Sequence, residues 1–230
     1  LFEESDLSCL ETPQIEHIDE MHGSTYRMIG LVNSLLNVSR VEMGTFAIHS
    51  SDVSLQETVE RVVNQFKEIL RNRSISIRDE YDNVPEIYQI DPVVFEVILE
   101  NLVSNAIKYT HDGTRIDLRL YPADDEICSY RGISEKSLIL EVADQGIGIP
   151  ETEQGKIFQR LFRASNAIST NTVGTGIGLY MVQKIVRDIG GVIWFETEQG
   201  KGTRFFVALP WDGVTSREGE KVLEKHSVQE

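Results

Sequence analysis

Between Thr12 and Glu42 apolar residues return every seven positions: Ile18, Thr25 and Val32, then Met21, Met28 and Leu35, then Ile29 and Leu36. A seven-residue repeat sustained over that length specifies a helix with a continuous apolar seam, built to pack lengthwise against other long helices. Pro13 stands near its start, where a missing N–H costs least, and Gly44 ends it. No second pattern of comparable length follows. The sequence therefore describes a helix suited to a bundle or coiled coil, with a core helix of one globular domain as the alternative, joined to something of a different kind.

Beyond Gly44 the texture becomes mixed α/β. Ser54 to Asn72 has the apolar spacing of an amphipathic helix, with Leu55, Val59, Val62, Val63, Phe66, Ile69 and Leu70 on one side. Asp91 as N-cap and Pro92 in the first turn open a helix running to about Tyr109. Strands are expected at 74–81, 86–90, 114–121, 137–143, 192–197 and 203–209. A short helix is expected near 151–159, and another from about Tyr180 to Asp188, closed by Gly190-Gly191. Leu1 to Leu10 reads as an acidic, serine-rich loop, Pro122 to Lys136 as a polar one, and Asp212 to Glu230 as a charged tail without expected structure. The domain plan is thus 1–44, 45–211 and 212–230.

Charge narrows the function. Thirty-seven acidic residues against 22 Lys and Arg give a net charge of -15, which argues against nucleic acid as a partner, since duplex binding needs a basic footprint. A polyanion can still be held in a local pocket, usually with a divalent cation. No apolar run reaches the roughly 20 residues of a membrane helix. Cys9 and Cys128 are too few for a disulfide scaffold, in keeping with a reducing, cytoplasmic setting.

Three constellations carry candidate chemistry. On the helix containing ENLVSNAIKYT, Asn101, Asn105 and Lys108 share about 60° of arc, opposite Phe95, Leu99, Leu102, Val103 and Ala106. Two asparagines one turn apart are poor helix formers. A carboxamide oxygen suits a hard cation such as Mg²⁺, and a lysine suits phosphate; a solvated polar face near a helix end accounts for the pattern equally. Asp144-Gln145-Gly146-Ile147-Gly148-Ile149-Pro150 follows a strand, placing a carboxylate where it can accept from an exocyclic amine, or marking an ordinary glycine-rich turn. Gly174-Thr175-Gly176-Ile177-Gly178-Leu179 opens a helix, whose N-terminal amides and dipole favour phosphate. It lacks both the preceding βαβ unit of a dinucleotide site and the Gly-Lys-Ser/Thr of a P-loop.

In this order, with the Phe box Ile157-Phe158-Gln159-Arg160-Leu161-Phe162-Arg163 between the glycine clusters and a Gly200-Lys201-Gly202-Thr203 hairpin after them, the chain resembles the ATP-binding domain of sensor histidine kinases from about residue 12 to 210. That family is grouped with the heat-shock chaperone and gyrase ATPases. The resemblance implies an α+β fold, a two-layer α/β sandwich with a mixed sheet covered by helices on one face, preceded by the bundle helix. It implies ATP and Mg²⁺ as cofactors. Asn105 would ligate the cation with Asn101 in support, Lys108 would contact phosphate, and Tyr109 would line the pocket. Asp144 would read the adenine amine, with Gly146 and Gly148 allowing close approach. Gly174, Thr175, Gly176, Gly178 and Leu179 would bring backbone amides to the phosphates. Ala164 to Val173 would be a lid, poorly ordered when empty, and Arg163 would reach the γ-phosphate.

The hydrolytic relatives carry Glu where Asn101 stands, and an amide cannot take a proton from water. Transfer to a supplied histidine is therefore implied, with a related ATPase or a degenerate, non-catalytic signalling module as the alternatives. His17, His22, His49, His111 and His226 all lack the acceptor context, which in the family lies on a helix preceding residue 12 and is followed by an acidic residue and a proline. The implied partners are that acceptor helix of the same kinase, a response regulator receiver domain, and a second copy in a homodimer. The implied setting is cytoplasmic, including the intracellular part of a membrane-anchored sensor.

Overall fold

The computed structural model describes residues 12–43, 46–124, 136–169 and 174–219, together with residues 128, 133 and 223. The long helix α1 spans Thr12–Glu42. A three-residue strand β1, Ser51–Val53, pairs antiparallel with β3, Tyr88–Ile90, a pairing the sequence pattern does not reveal. The helix expected over 54–72 breaks at Phe66 into α2, Leu55–Gln65, and α3, Lys67–Asn72. Ser54 caps α2 by accepting from the Glu57 amide.

The main sheet has strands β2 (Ser76–Tyr81), β4 (Arg115–Pro122), β5 (Ser137–Ala143), β6 (Val192–Glu198) and β7 (Gly202–Pro210), in the order β2-β4-β5-β7-β6. Only the β2–β4 pair is parallel, so the sheet is mixed as expected. Its inner face, with Leu118, Leu120, Leu138, Leu140, Val142, Phe205, Val207 and Leu209, packs into one core with the helices. The outer face carries a smaller cluster of Ile139, Trp194, Phe206 and Ala208, in which Trp194 stacks on Phe206 at 5.1 Å. Glu141 is buried on the same face, where it accepts from Arg119 at 2.7 Å and from the Tyr121 hydroxyl at 3.0 Å.

At the centre of the helical layer is α4, Pro92–Tyr109. Asp91 caps it by accepting from Val93 and Val94, and its other oxygen accepts from His49, so one carboxylate fixes both the helix start and the incoming chain. Arg73 closes the far end on the carbonyls of Ile107 and Thr110. Glu96, buried at 3% side-chain exposure, takes both an Nε and an Nη2 bond from Arg61 of α2. A helix so fully enclosed holds whatever its C-terminal half presents in a fixed position.

The last helix, α6, spans Gly178–Asp188. The end of α1 docks against it: Val38 and Val41 are buried, and Glu42 accepts from the Tyr180 hydroxyl at 2.7 Å with Arg160 3.6 Å away. The rest of the apolar seam stays in solvent, with Met21 69%, Met28 63% and Val32 52% exposed. The stretch after residue 211 is not a free tail through its first residues. Val214 is buried, Arg217 and Ile48 exchange backbone hydrogen bonds of 2.8 and 2.9 Å, and the Arg217 guanidinium lies 4.8 Å from the Phe46 ring centroid. Residues 220–222 and 224–230 lie outside the described residues, as do Leu1 to Glu11 and most of the 122–136 loop.

Candidate functional site

Strand β5 ends at Ala143 and delivers Asp144 into a half-buried position. Its Oδ1 accepts from the amides of Gly146 at 2.8 Å and Thr203 at 3.3 Å. Among the described residues nothing donates to Oδ2. Burial pushes the carboxyl up to about 6, although both amides and the nearby His111 pull it the other way. At neutral pH it is mostly an ionised acceptor with one oxygen engaged and one available, the arrangement that suits an exocyclic amine.

The loop after Asp144 is held by protein backbone. Ile147 N–H donates to the Tyr109 carbonyl at 3.1 Å, and Gly200 N–H donates to the Ile147 carbonyl at 2.9 Å. A Cβ on Gly146 would stand 2.0 Å from the Tyr109 oxygen, and one on Gly148, at φ +59°, would stand 2.1 Å from the Glu198 oxygen. The chain's own backbone thus leaves no room for a side chain at either glycine. The physical reason is that α4 and the β6–β7 hairpin converge on this loop from both sides.

Asn101 and Asn105 lie half-buried one turn apart on α4, with Lys108 exposed one turn further on. Asn101 Nδ2 donates to the Val97 carbonyl at 2.7 Å, so its amide is tied back to its own helix. The ammonium of Lys108 has its pKa lowered, first by desolvation from the surrounding protein and then by the Arg163 guanidinium. Arg163 in turn donates from Nη2 to the Ala167 carbonyl at 3.2 Å.

The second glycine cluster lies between these groups. The Cβ position of Gly174 is 3.7 Å from the Tyr109 hydroxyl and 3.8 Å from Arg163 Nε, ordinary contact distances. Thr175 Oγ1 accepts from Ile177 N–H at 3.2 Å, and the Gly176 carbonyl accepts from Leu161 N–H at 2.9 Å, which ties the cluster to the Phe box. Ile177, the N-cap of α6, offers no side-chain cap, so the first amides of that helix have no partner within it. Leu179 packs against the core, and only its backbone belongs to that first turn.

One implied feature is revised. Residues 165–169 form a short helix, α5, Ser165–Ser169, in the segment expected to lack order. Ser165 donates from both N–H and Oγ to Glu153 Oε2, and Asn166 Nδ2 donates to the Gly148 carbonyl at 2.9 Å, giving the segment polar anchors that a count of apolar residues does not register. Residues 170–173 of the implied lid lie outside the described residues. Asn166 and Glu153 belong to no chemical motif of the sequence, whereas Thr203 stands in the Gly200-Lys201-Gly202-Thr203 hairpin, which gives no sign that its amide reaches Asp144.

The described residues hold no group of three or more His, Cys, Asp or Glu fit to bind a metal by themselves. A carboxamide face does fit Mg²⁺ carried in by phosphates, since that ion keeps several waters and takes few protein ligands. Among the described residues no helix is long and apolar enough to cross a membrane.

Residues 90–213, more than half of the chain, match the family of histidine kinase-, DNA gyrase B- and HSP90-like ATPases. The chain belongs to this family. Its relatives place it in the histidine kinase branch as a catalytic ATP-binding domain. It is 31% identical to the circadian input-output histidine kinase CikA of Synechococcus elongatus, over 86% of this chain and 25% of that protein. It is 30% identical to the signal transduction histidine-protein kinase BarA of Escherichia coli, over 88% of this chain and 22% of that protein. The chain thus spans about a quarter of the length of these relatives. The catalytic domain of histidine kinase ThkA, nucleotide-free, superposes with a TM-score of 0.57 at 27% identity, covering 70% of this chain and 95% of that one. Full-length ShkA in complex with AMPPNP shares the fold, with a TM-score of 0.72 at 20% identity over 91% of this chain and 41% of that one.

Proposed function

We propose that this domain passes the γ-phosphoryl group of ATP to a histidine on a dimerisation helix outside residues 1–230, for relay to a response regulator. The observation that carries this reading is that the second glycine cluster joins two of the motifs: the Cβ position of Gly174 lies 3.7 Å from the Tyr109 hydroxyl of α4 and 3.8 Å from Arg163 Nε, and Gly178 lies against Asn101. In a chain of net charge -15, Lys108 and Arg163 are cations on the segments that meet there, and an anion bound between those segments would be offset by both. Beside them the uncapped turn of α6 offers amides to the same anion.

Asp144 binds the adenine amine through its available oxygen. Tyr109 and Gly174 border the pocket, and the amides of Gly174, Thr175, Gly176, Gly178 and Leu179 face the phosphates. Asn105 would hold Mg²⁺, which would supply positive charge to offset the phosphates. Lys108 and Arg163 offset the charge that builds on the transferring group. The imidazole lone pair forms the P–N bond as the bond from γ-phosphorus to the β-bridging oxygen breaks, and ADP departs with the negative charge. The site supplies position and charge compensation, and the nucleophile comes from the acceptor helix.

The exposed seam of α1 supports a helical-bundle dimer. Met21, Met28 and Val32 face solvent in the single chain, where a seven-residue repeat otherwise finds a partner. ThkA has been crystallised in complex with the response regulator protein TrrA. That precedent supports a receiver domain as partner.

Calorimetric titration with ATP, with and without Mg²⁺, tests the nucleotide reading. Mixing the chain with an acceptor-helix fragment and labelled Mg-ATP tests transfer. Binding that strengthens with Mg²⁺, together with label on the fragment, is expected. Label released only as free phosphate points instead to the ATPase alternative.

A further inference from the structure

Gly178 needs no glycine for its backbone, since its φ lies outside the left-handed region. The nearest atoms that a Cβ there would meet all belong to Asn101: Oδ1 at 2.4 Å, Cγ at 3.4 Å and Cβ at 4.0 Å. The third glycine of the second cluster is therefore shaped by a side chain of α4. Asn101 cannot easily yield, because its Nδ2 is tied to the Val97 carbonyl at 2.7 Å. Both ends of the carboxamide are in use: the amine anchors to α4, and the oxygen fills the space beside the first residue of α6.

Resting on the nucleotide reading above, we infer that Asn101 is a positioning residue, which seats the first turn of α6 on α4, and that the cation is left to Asn105. Two requirements of phosphate binding meet at this contact. The amides at the start of α6 must point at the phosphates, and Asn105 and Lys108 must reach the same phosphates from α4. Among the contacts that pack the two helices together, that of Asn101 with Gly178 lies at the first residue of α6, so it helps to set the spacing between the two half-sites. A displacement of about 1 Å between such groups is enough to cost up to a hundredfold in a well-oriented site. Aspartate at 101 would lose the donor to Val97, and glutamate would be one methylene too long for the space that Gly178 leaves.

Compensation between the two positions is the test. ATP affinity is measured by calorimetry, in Mg²⁺ and in EDTA, for the intact chain and for Asn101→Ala, Gly178→Ala, the double variant and Asn105→Ala. Gly178→Ala alone is expected to weaken ATP about tenfold. In the Asn101→Ala background the same change is expected to cost less than twofold, because the atom it collides with is gone. Asn101→Ala is expected to weaken ATP by the same factor with and without Mg²⁺, whereas Asn105→Ala removes the Mg²⁺ enhancement itself. Equal cost of Gly178→Ala in both backgrounds, or loss of the Mg²⁺ enhancement in Asn101→Ala, overturns the inference. Asn101→Ser, too short to reach Gly178, repeats the cycle if Asn101→Ala melts below the assay temperature. No ATP binding by the intact chain would instead overturn the nucleotide reading.

Discussion

The two glycine clusters, Gly146-Ile147-Gly148 and Gly174-Thr175-Gly176-Ile177-Gly178, look alike in sequence and are built differently. The first is clamped. Its residues bond to the Tyr109 carbonyl and the 198–203 hairpin, and no Cβ fits at Gly146 or Gly148 without meeting backbone. The second is mixed: Gly176, at φ +68°, is held against backbone, where a Cβ would stand 2.6 Å from the Phe162 oxygen, whereas Gly174 has only ordinary side-chain contacts and Gly178 meets one side chain. Both glycines of the first cluster thus meet backbone, whereas in the second only Gly176 does, and Gly174 and Gly178 meet side chains. On the proposed function, that difference would leave the base-binding loop rigid and parts of the phosphate-binding cluster freer to adjust.

The largest expected effect breaks this comparison if it fails. Gly148→Ala adds a Cβ into the Glu198 carbonyl at a positive φ, and should destabilise the chain by about 3 kcal/mol or more, lowering Tm by roughly 6–12 °C. Gly174→Ala, where only ordinary contacts await the new atom, should shift Tm by no more than about 1 °C. Equal shifts in a thermal melt would erase the distinction between the clusters.

Asp144→Asn comes next. The change keeps the shape and replaces an accepting oxygen by a donor, so ATP affinity should fall by about tenfold or more. Stability at neutral pH should hold or rise, because a carboxylate that burial disfavours has been removed. Calorimetry and thermal melts read the two effects separately.

The pH dependence sharpens the same point. With Asp144 pushed up to about 6, its ionised fraction falls from about nine-tenths at pH 7 to about one-tenth at pH 5. ATP affinity should drop by up to about tenfold over that range, and the drop should shrink in Asp144→Asn, which leaves only the nucleotide's own titration. The sign for folding is opposite. Between the ordinary carboxylate value and about 6 the folded chain holds more proton at Asp144 than the unfolded one, so this group's contribution to stability falls as pH rises through that window and is level above it.

The smallest effect concerns the joint between α1 and α6. Tyr180→Phe removes the hydroxyl bonded to Glu42 at a partly exposed site, and should cost no more than about 1 kcal/mol. ATP affinity should be unchanged, since Tyr180 lies on the side of α6 that faces α1. A clear loss of ATP affinity would mean that the docking of α1 reaches the phosphate end of the site.

Much of this was legible in sequence because it is written in local chemistry. Asp91-Pro92 marks the start of α4, alternation marks β5 and β7, and the asparagine spacing marks the site face of α4. What the pattern missed was nonlocal or polar. The pairing of Ser51–Val53 with Tyr88–Ile90 joins short segments too far apart for periodicity to link. The break at Phe66 interrupts a stretch whose apolar spacing runs straight through it. Helix α5 is held by Glu153 and the Gly148 carbonyl, distant polar groups that no pattern within 165–169 points to.

By itself the sequence determined on which element each candidate residue for phosphate, cation and base lies, because caps, periodicity and glycine clusters act over a few residues. Only the tertiary structure decided what each glycine is for, and that Asn101 divides its carboxamide between α4 and α6. The reason is steric. The room beside a glycine is set by whichever distant backbone or side chain packs against it, and no local pattern encodes that distance.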